Sequence, residues 1–186
     1  MGVRVQTASP AVPKETMMLR WMVAATTAAL LAATPVTAQE AVVGAPERAA
    51  LFHSPDPVID ARKQVVYNIY TKIFEENRYD LVDVYMTKRY IQHNPNIASG
   101  REAVKKLFRE NRLPKMAIPV FAVVAEGDMV VVASAMVLPR PGGKPGETYT
   151  TTHFDMWRFV GNQVDEHWDE ARLGPMSIGI VEQPAK

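Results

Sequence analysis

The 186-residue chain is 47% hydrophobic and 22% charged, a composition that supports one packed core and excludes a chain too polar to fold. Its formal net charge of +1 offers no basic field for nucleic acid, and the absence of cysteine excludes disulfides, thiolate catalysis and cysteine metal sites. The length suits one domain plus a processed segment.

In chain order, Met17-Met18-Leu19-Arg20 gives a short basic start, and residues 21–32 form an uncharged Ala/Leu/Val/Thr stretch of signal-peptide length. Val36-Thr37-Ala38 has the small residues a signal peptidase accepts, so residues 1–38 are expected to be upstream residues and a signal, with Gln39 as the mature N-terminus. The Ala/Thr-rich stretch and Pro35 favour a cleaved signal over a membrane anchor. Membrane contact is then transient, and the expected location is periplasmic or secreted. The first 38 residues carry Arg4, Lys14 and Arg20 against Glu15, so the remainder has a formal net charge of −1. Residues 39–54, with Gly44 and Pro46 and no apolar period, read as a linker to a domain spanning 55–186.

Ser54-Pro55-Asp56-Pro57 is a helix start, and the spacing of Val58, Ile59, Val65, Val66, Ile69, Tyr70, Ile73 and Phe74 predicts one long amphipathic helix. A short helix is expected over 79–86 and an extended segment over 90–95, because Pro95 pushes Asn94 out of the helical region. Ser99-Gly100-Arg101-Glu102 has capping-box spacing before a third helix ending near Arg112. From Ile118 the period becomes strand-like: 118–125 and 129–138 around Glu126-Gly127-Asp128, then 149–160 and 163–172 around Gly161-Asn162. Helices first and an antiparallel meander after predict an α+β fold, with about three N-terminal helices on one face of a curved sheet.

His93, His153 and His167 fall in polar clusters on or beside predicted strands, while His53 lies in the linker. Strand alternation puts His153, Asp155 and Trp157 on one face and His167 with Asp169 on one face of the next strand. Two registers are open. A two-residue turn at Gly161-Asn162 sets His153 opposite Glu170 and Asp155 opposite Trp168, separating the carboxylates. A three-residue loop over 160–162 sets His153 opposite Asp169 and Asp155 opposite His167, building a cluster. That cluster has the donor types for zinc or iron, although the spacing does not demand an ion and no metal is expected. Trp157, Trp168 and Phe159 read as core or pocket wall, and Asp165, Glu166 and Glu170 as solvated charges on a strand edge.

Three features together resemble the SnoaL-like polyketide cyclase group of the nuclear-transport-factor-2-like superfamily. They are Tyr90-Ile91-Gln92-His93-Asn94-Pro95 followed by Ser99-Gly100-Arg101-Glu102, the Phe154-Asp155-Met156-Trp157-Arg158 strand, and the closing Glu166-His167-Trp168-Asp169. The resemblance spans residues 58–172. It implies a cone-shaped fold in which helices and a strongly curved antiparallel sheet enclose a pocket, and chemistry of the intramolecular aldol type without metal or cofactor. Carried onto this chain, Asp169 and Asp155 are the expected acid/base carboxylates, raised toward neutrality by an apolar pocket. His93, His153 or Asn94 would then donate to the developing enolate. Asn94, Trp157, His167, Trp168 and Tyr90 are expected to line the ligand site, and a homodimer is implied by the superfamily's open sheet face. Two functions fit: an acid/base enzyme of aldol, isomerase or hydratase type on a small carbonyl compound, or a non-catalytic periplasmic binder of a small apolar ligand.

Overall fold

The computed structural model of the protein describes residues 40–110 and 117–171; the expected signal, residues 1–38, lies outside the described residues. Helix α1 (Pro57–Asn68) starts where its residues require: the Asp56 carboxylate accepts from Val58 N and Ile59 N at 2.8 and 3.0 Å, and Pro57 occupies the first helical turn. It runs directly into a π-helical stretch, Ile69–Glu75, whose wider winding is marked by Glu76 N–H donating to Thr71 O. This change of pitch lets Ile69, Tyr70 and Ile73 all face inward, and each is fully or almost fully buried. The first turn departs from the expected apolar stripe, since Val58 is exposed.

A 3₁₀ turn (Tyr79–Leu81) and the one-turn helix α2 (Val82–Tyr85) lead to strand β1 (Met86–Gln92), and helix α3 (Arg101–Glu110) follows. The expected capping box does not form. Ser99 Oγ instead accepts from Gln92 N at 3.0 Å, and Gly100, at φ +96°, offers its carbonyl to Ala103 N and Val104 N. The serine therefore holds the 93–100 loop to β1, and glycine makes the left-handed turn that a side chain would resist.

Strands β2 (Val120–Glu126), β3 (Met129–Pro139), β4 (Thr148–Val160) and β5 (Gln163–Asp169) form the antiparallel meander. The five strands lie in the order β1-β5-β4-β3-β2, with β1 parallel to β5. The sheet is thus mixed rather than wholly antiparallel, because β1 reaches β5 from a distant part of the chain and not through a hairpin. β5 is consequently interior. Val130, Val132, Trp157, Phe159 and Val164 on the inward face pack with Val66, Ile69, Tyr70 and Ile73 in one core, an α+β arrangement with helices on one side of the sheet.

Residues 41–54, read from sequence as a linker, are laid against this domain. Phe52 is wholly buried in the core, Ala45 N donates to Val120 O, and a Cβ on Gly44 would meet Pro119 Cα at 2.8 Å. Burial of one large aromatic stabilises by roughly 1.5–3 kcal/mol, enough to seat a short segment whose composition alone shows no period. Among the described residues no helix is long and apolar enough to cross a membrane.

The β4–β5 hairpin follows neither register read from the sequence. Val160 pairs with Gln163 and Phe159 with Val164, as a two-residue turn requires, but Arg158 then pairs with Glu166, so Asp165 is an extra residue in a β-bulge. Asp165, expected as a solvated edge charge, is only 2% exposed and accepts from Thr87 Oγ1 at 2.7 Å and Arg89 Nε at 2.9 Å. Replacing it removes charge-assisted bonds to the neighbouring strand. Asp165→Ala is expected to lower stability by about 1–3 kcal/mol in urea unfolding; an unchanged midpoint would show that the bulge holds without this carboxylate.

Candidate functional site

The bulge decides which side chains meet. It pairs Asp155 with Asp169 and Trp157 with His167, so Asp155 and Trp157 of β4 and His167 and Asp169 of β5 emerge on the inward face. Asp155, His167 and Asp169 each present a donor atom within 4.8 Å of the other two.

Asp155 is the hub of this group and is buried. Its Oδ1 receives His167 Nε2 at 2.8 Å and lies 3.4 Å from His153 Nε2, and its Oδ2 accepts from the Tyr70 hydroxyl at 2.6 Å. Burial by itself would lift the Asp155 carboxyl, but hydrogen bonds and positive charge from His153 and His167 outweigh it and hold the group well below the usual carboxylate range. The expectation of a carboxyl raised toward neutrality thus fails for Asp155: two imidazoles, not an apolar wall, are what face it. The same charge acts on its neighbours. Burial, reinforced by the Asp155 carboxylate, pushes the Tyr70 phenol far up, so it remains a donor. For His153, burial works downward, yet the hydrogen bonds and charges of Asp155 and Glu170 raise the ring to about 9. Its Nδ1 lies 2.7 Å from Glu170 Oε1.

Asp169 is held differently. Asn94 Nδ2 donates to both its oxygens at 3.1 and 2.8 Å, and Ala171 N donates to Oδ1 at 3.0 Å. Asn94 is itself buried and fixed by its loop: Asn94 N donates to Gln92 Oε1, and Asn94 Oδ1 accepts from Asn96 N. The same Gln92 oxygen lies 3.0 Å from His167 Nδ1, so both ring nitrogens of His167 face oxygen acceptors. Trp157 is fully buried between the rings of Tyr70 and His167, at 5.7 and 5.1 Å, and works as packing beneath the site rather than as a surface for ligand. Tyr90, 3% exposed, has its phenol raised by burial, an effect eased by its hydrogen bond with Trp157; it too is core.

Of the residues expected at the site, Asp155, Asp169, His153, His167 and Asn94 come together. His93 and Trp168 do not. Their rings stack at 4.4 Å and 4° on the opposite sheet face, where His93 Nε2 meets Glu166 Oε2 at 3.0 Å and the Arg158 guanidinium lies over Trp168. Alternation along β5 forces this: Trp168, between His167 and Asp169, must point the other way. Glu166 is therefore a partner of His93 and Arg158 and not a free edge charge. Tyr70 and Gln92 complete the group unforeseen, and Glu170, read from sequence as a solvated edge charge, joins it through His153. Tyr70 sits in an apolar helical stripe where nothing distinguishes it from core, and Gln92 lies within the quoted Tyr-Ile-Gln-His-Asn-Pro stretch but carries no charge to draw notice.

These interactions link folding to pH with opposite signs. His153 titrates higher folded than its ordinary 6.5, so its contribution is complete below about pH 6.5 and is lost as pH rises through about 9. Asp155 titrates lower than its ordinary 3.8, so its contribution is present above that value and is lost as pH falls below it. Urea unfolding against pH is expected to show a plateau between these limits, and His153→Gln should remove the alkaline slope; an identical slope in that variant would assign it to another group.

The chain matches the sequence profile of the SnoaL-like domain over residues 67–167. No curated protein sequence matches it. Among solved structures, it is similar to a candidate SnoaL-like polyketide cyclase from Jannaschia sp. CCS1 (19% identity, 63% of this chain and 91% of that one, TM-score 0.48). It is also similar to TsrD from Streptomyces laurentii (19%, 59% and 87%, 0.47) and to an NTF2-like protein of unknown function from Burkholderia pseudomallei (14%, 60% and 91%, 0.45). With the profile match covering more than half of its length, and with the motif residues of β1, β4 and β5 inside the matched span apart from Trp168 and Asp169, the chain belongs to the SnoaL-like domain family.

Proposed function

We propose that this is an exported acid/base enzyme acting on a small carbonyl compound, in an aldol, isomerase or hydratase type of reaction, with Asp169 as the base. The observation that carries this reading is the convergence of Asp169 with Asp155 and His167 at one point of the inward sheet face. Asp155 is too strongly acidic to shuttle a proton near neutral pH, so its part is to orient the imidazoles. Asp169, positioned by Asn94, takes the proton alpha to the carbonyl. His153, protonated at neutral pH and 27% exposed at the side chain, donates to the oxygen on which enolate charge develops. The proton held on Asp169 then returns to carbon or to the new alkoxide, restoring the starting state.

Export to the periplasm or medium follows from the basic-apolar-small pattern of residues 17–38. A homodimer fits the outward sheet face, where Val124, Val131, Met156 and Trp168 form one cross-strand row and Phe154 stands beside it. Val124 and Phe154 are 66% and 52% exposed, an apolar surface of the kind that marks association.

Deuterium exchange at the alpha carbon of small ketones in D₂O, followed by NMR, tests the chemistry without knowledge of the natural substrate. Asp169→Asn is expected to slow exchange by about 10²–10⁴-fold while leaving ligand affinity within a few-fold; full retention of exchange would remove Asp169 from the mechanism. Ligand binding with no exchange by the unmodified protein would instead establish the non-catalytic binder. For assembly, light scattering at micromolar concentration is expected to give a dimer that Phe154→Glu converts to monomer. A monomer before substitution contradicts the dimer.

A further inference from the structure

His153, His167, Asp155 and Asp169 share a feature that acid/base chemistry does not require: each has its second polar atom, or its whole side chain, tied down from outside the group. His167 Nδ1 is held by Gln92 Oε1 and His153 Nδ1 by Glu170 Oε1, both Asp169 oxygens are held by Asn94, and Asp155 Oδ2 is held by Tyr70. What remains directed at the group is His167 Nε2, at 2.8 Å from Asp155 Oδ1 and within the 4.8 Å cluster that includes an Asp169 oxygen, while His153 Nε2 approaches the same Asp155 Oδ1 at 3.4 Å from the partly exposed rim. Metal-ligating imidazoles are oriented in this way, with the distal nitrogen on an oxygen acceptor and ligating carboxylates hydrogen-bonded in turn.

Separation and charge agree. Ligand atoms bound to one ion at about 2.0–2.2 Å lie roughly 3–3.6 Å from each other, so the His153 contact at Asp155 already has this span, the 2.8 Å His167 contact needs to open by a few tenths of an ångström, and Asp169 needs to close by about an ångström. Among the described residues, no lysine or arginine is a hydrogen-bond or ion-pair partner of any of the four, whereas the carboxylates on the outward face are paired with Arg89 and Arg158. The two carboxylates are met here by imidazole, phenol and amide donors, and a cation can take the place of the imidazole protons.

We infer that His153, His167, Asp155 and Asp169 form a binding site for one divalent first-row transition cation, zinc foremost. The mixed nitrogen and oxygen donors suit zinc, cobalt or iron(II), and disfavour magnesium and calcium, which take oxygen shells. The inference does not depend on the proposed reaction. If both hold, the ion and the substrate proton compete for the same lone pair of Asp169, and zinc inhibits.

Calorimetric titration of the untagged, EDTA-treated full chain with zinc sulfate near pH 7.5 is expected to show one saturable site, with magnesium chloride silent. Cobalt(II) should give the visible absorption of a low-symmetry nitrogen/oxygen site. His167→Gln and His153→Gln should each weaken zinc binding at least tenfold, and Gln92→Ala, which removes the acceptor shared by His167 Nδ1 and the Asn94 backbone amide, by about 10–100-fold. Circular dichroism checks that each variant folds, and His153→Gln, at the partly exposed rim, carries the test should His167→Gln fail to fold. Absence of saturable zinc uptake overturns the inference, and so does one-site binding that His153→Gln leaves unchanged. Either result leaves the carbonyl exchange assay free to succeed or fail independently.

Discussion

One extra residue in β5 governs the chemistry of this protein. With a strict two-residue hairpin, Asp155 would lie opposite Trp168, and His167 and Asp169 would emerge on the outward face. The bulge at Asp165 restores the phase, so that Asp155, His167 and Asp169 leave the sheet on the same side. Its stability is provided from a third strand, since the bulged carboxylate is bound by Thr87 and Arg89 of β1. The parallel pairing of β1 with β5 thus supplies one edge of the sheet and also braces the register of the site.

Once those groups face the core, electrostatics dictates the rest. A buried carboxylate is tolerated only with donors around it, and Asp155 has three: two imidazoles and the Tyr70 hydroxyl. Tyr70 arrives from the π-helical end of α1, where the altered pitch admits its ring to the core against Trp157. The network is a set of mutual obligations: the anion keeps His153 protonated and Tyr70 neutral, and they keep it an anion. Asp169 stands outside that exchange, held by amide donors instead of cations, so the two carboxylates sit in different electrostatic surroundings.

The two faces of the sheet have separate tasks. Inward, polar groups are gathered over a floor of Trp157 and the aliphatic core. Outward, Trp168 lies between the His93 ring and the Arg158 guanidinium beside an apolar row. A single sequence stretch, Glu166-His167-Trp168-Asp169, serves both, because consecutive strand residues alternate sides.

Local order and chemical inventory were determined by the sequence alone. Asp56-Pro57 starts a helix because its side chain and ring act within one turn, Gly127 and Gly161 turn the hairpins at positive φ, and the Tyr-Ile-Gln-His-Asn-Pro and Glu-His-Trp-Asp stretches identify the family and supply the site's imidazoles and carboxylates. These rest on interactions a few residues long. Tertiary structure alone decided the bulge, the parallel place of β1, the seating of Phe52 and the partnership of Tyr70 with Asp155. Tyr70 and Asp155 are 85 residues apart, and Asp165 meets Arg89 across 76. No periodicity in the chain encodes a register set by such contacts, because shifting a strand by one residue leaves every local preference intact while exchanging its two faces.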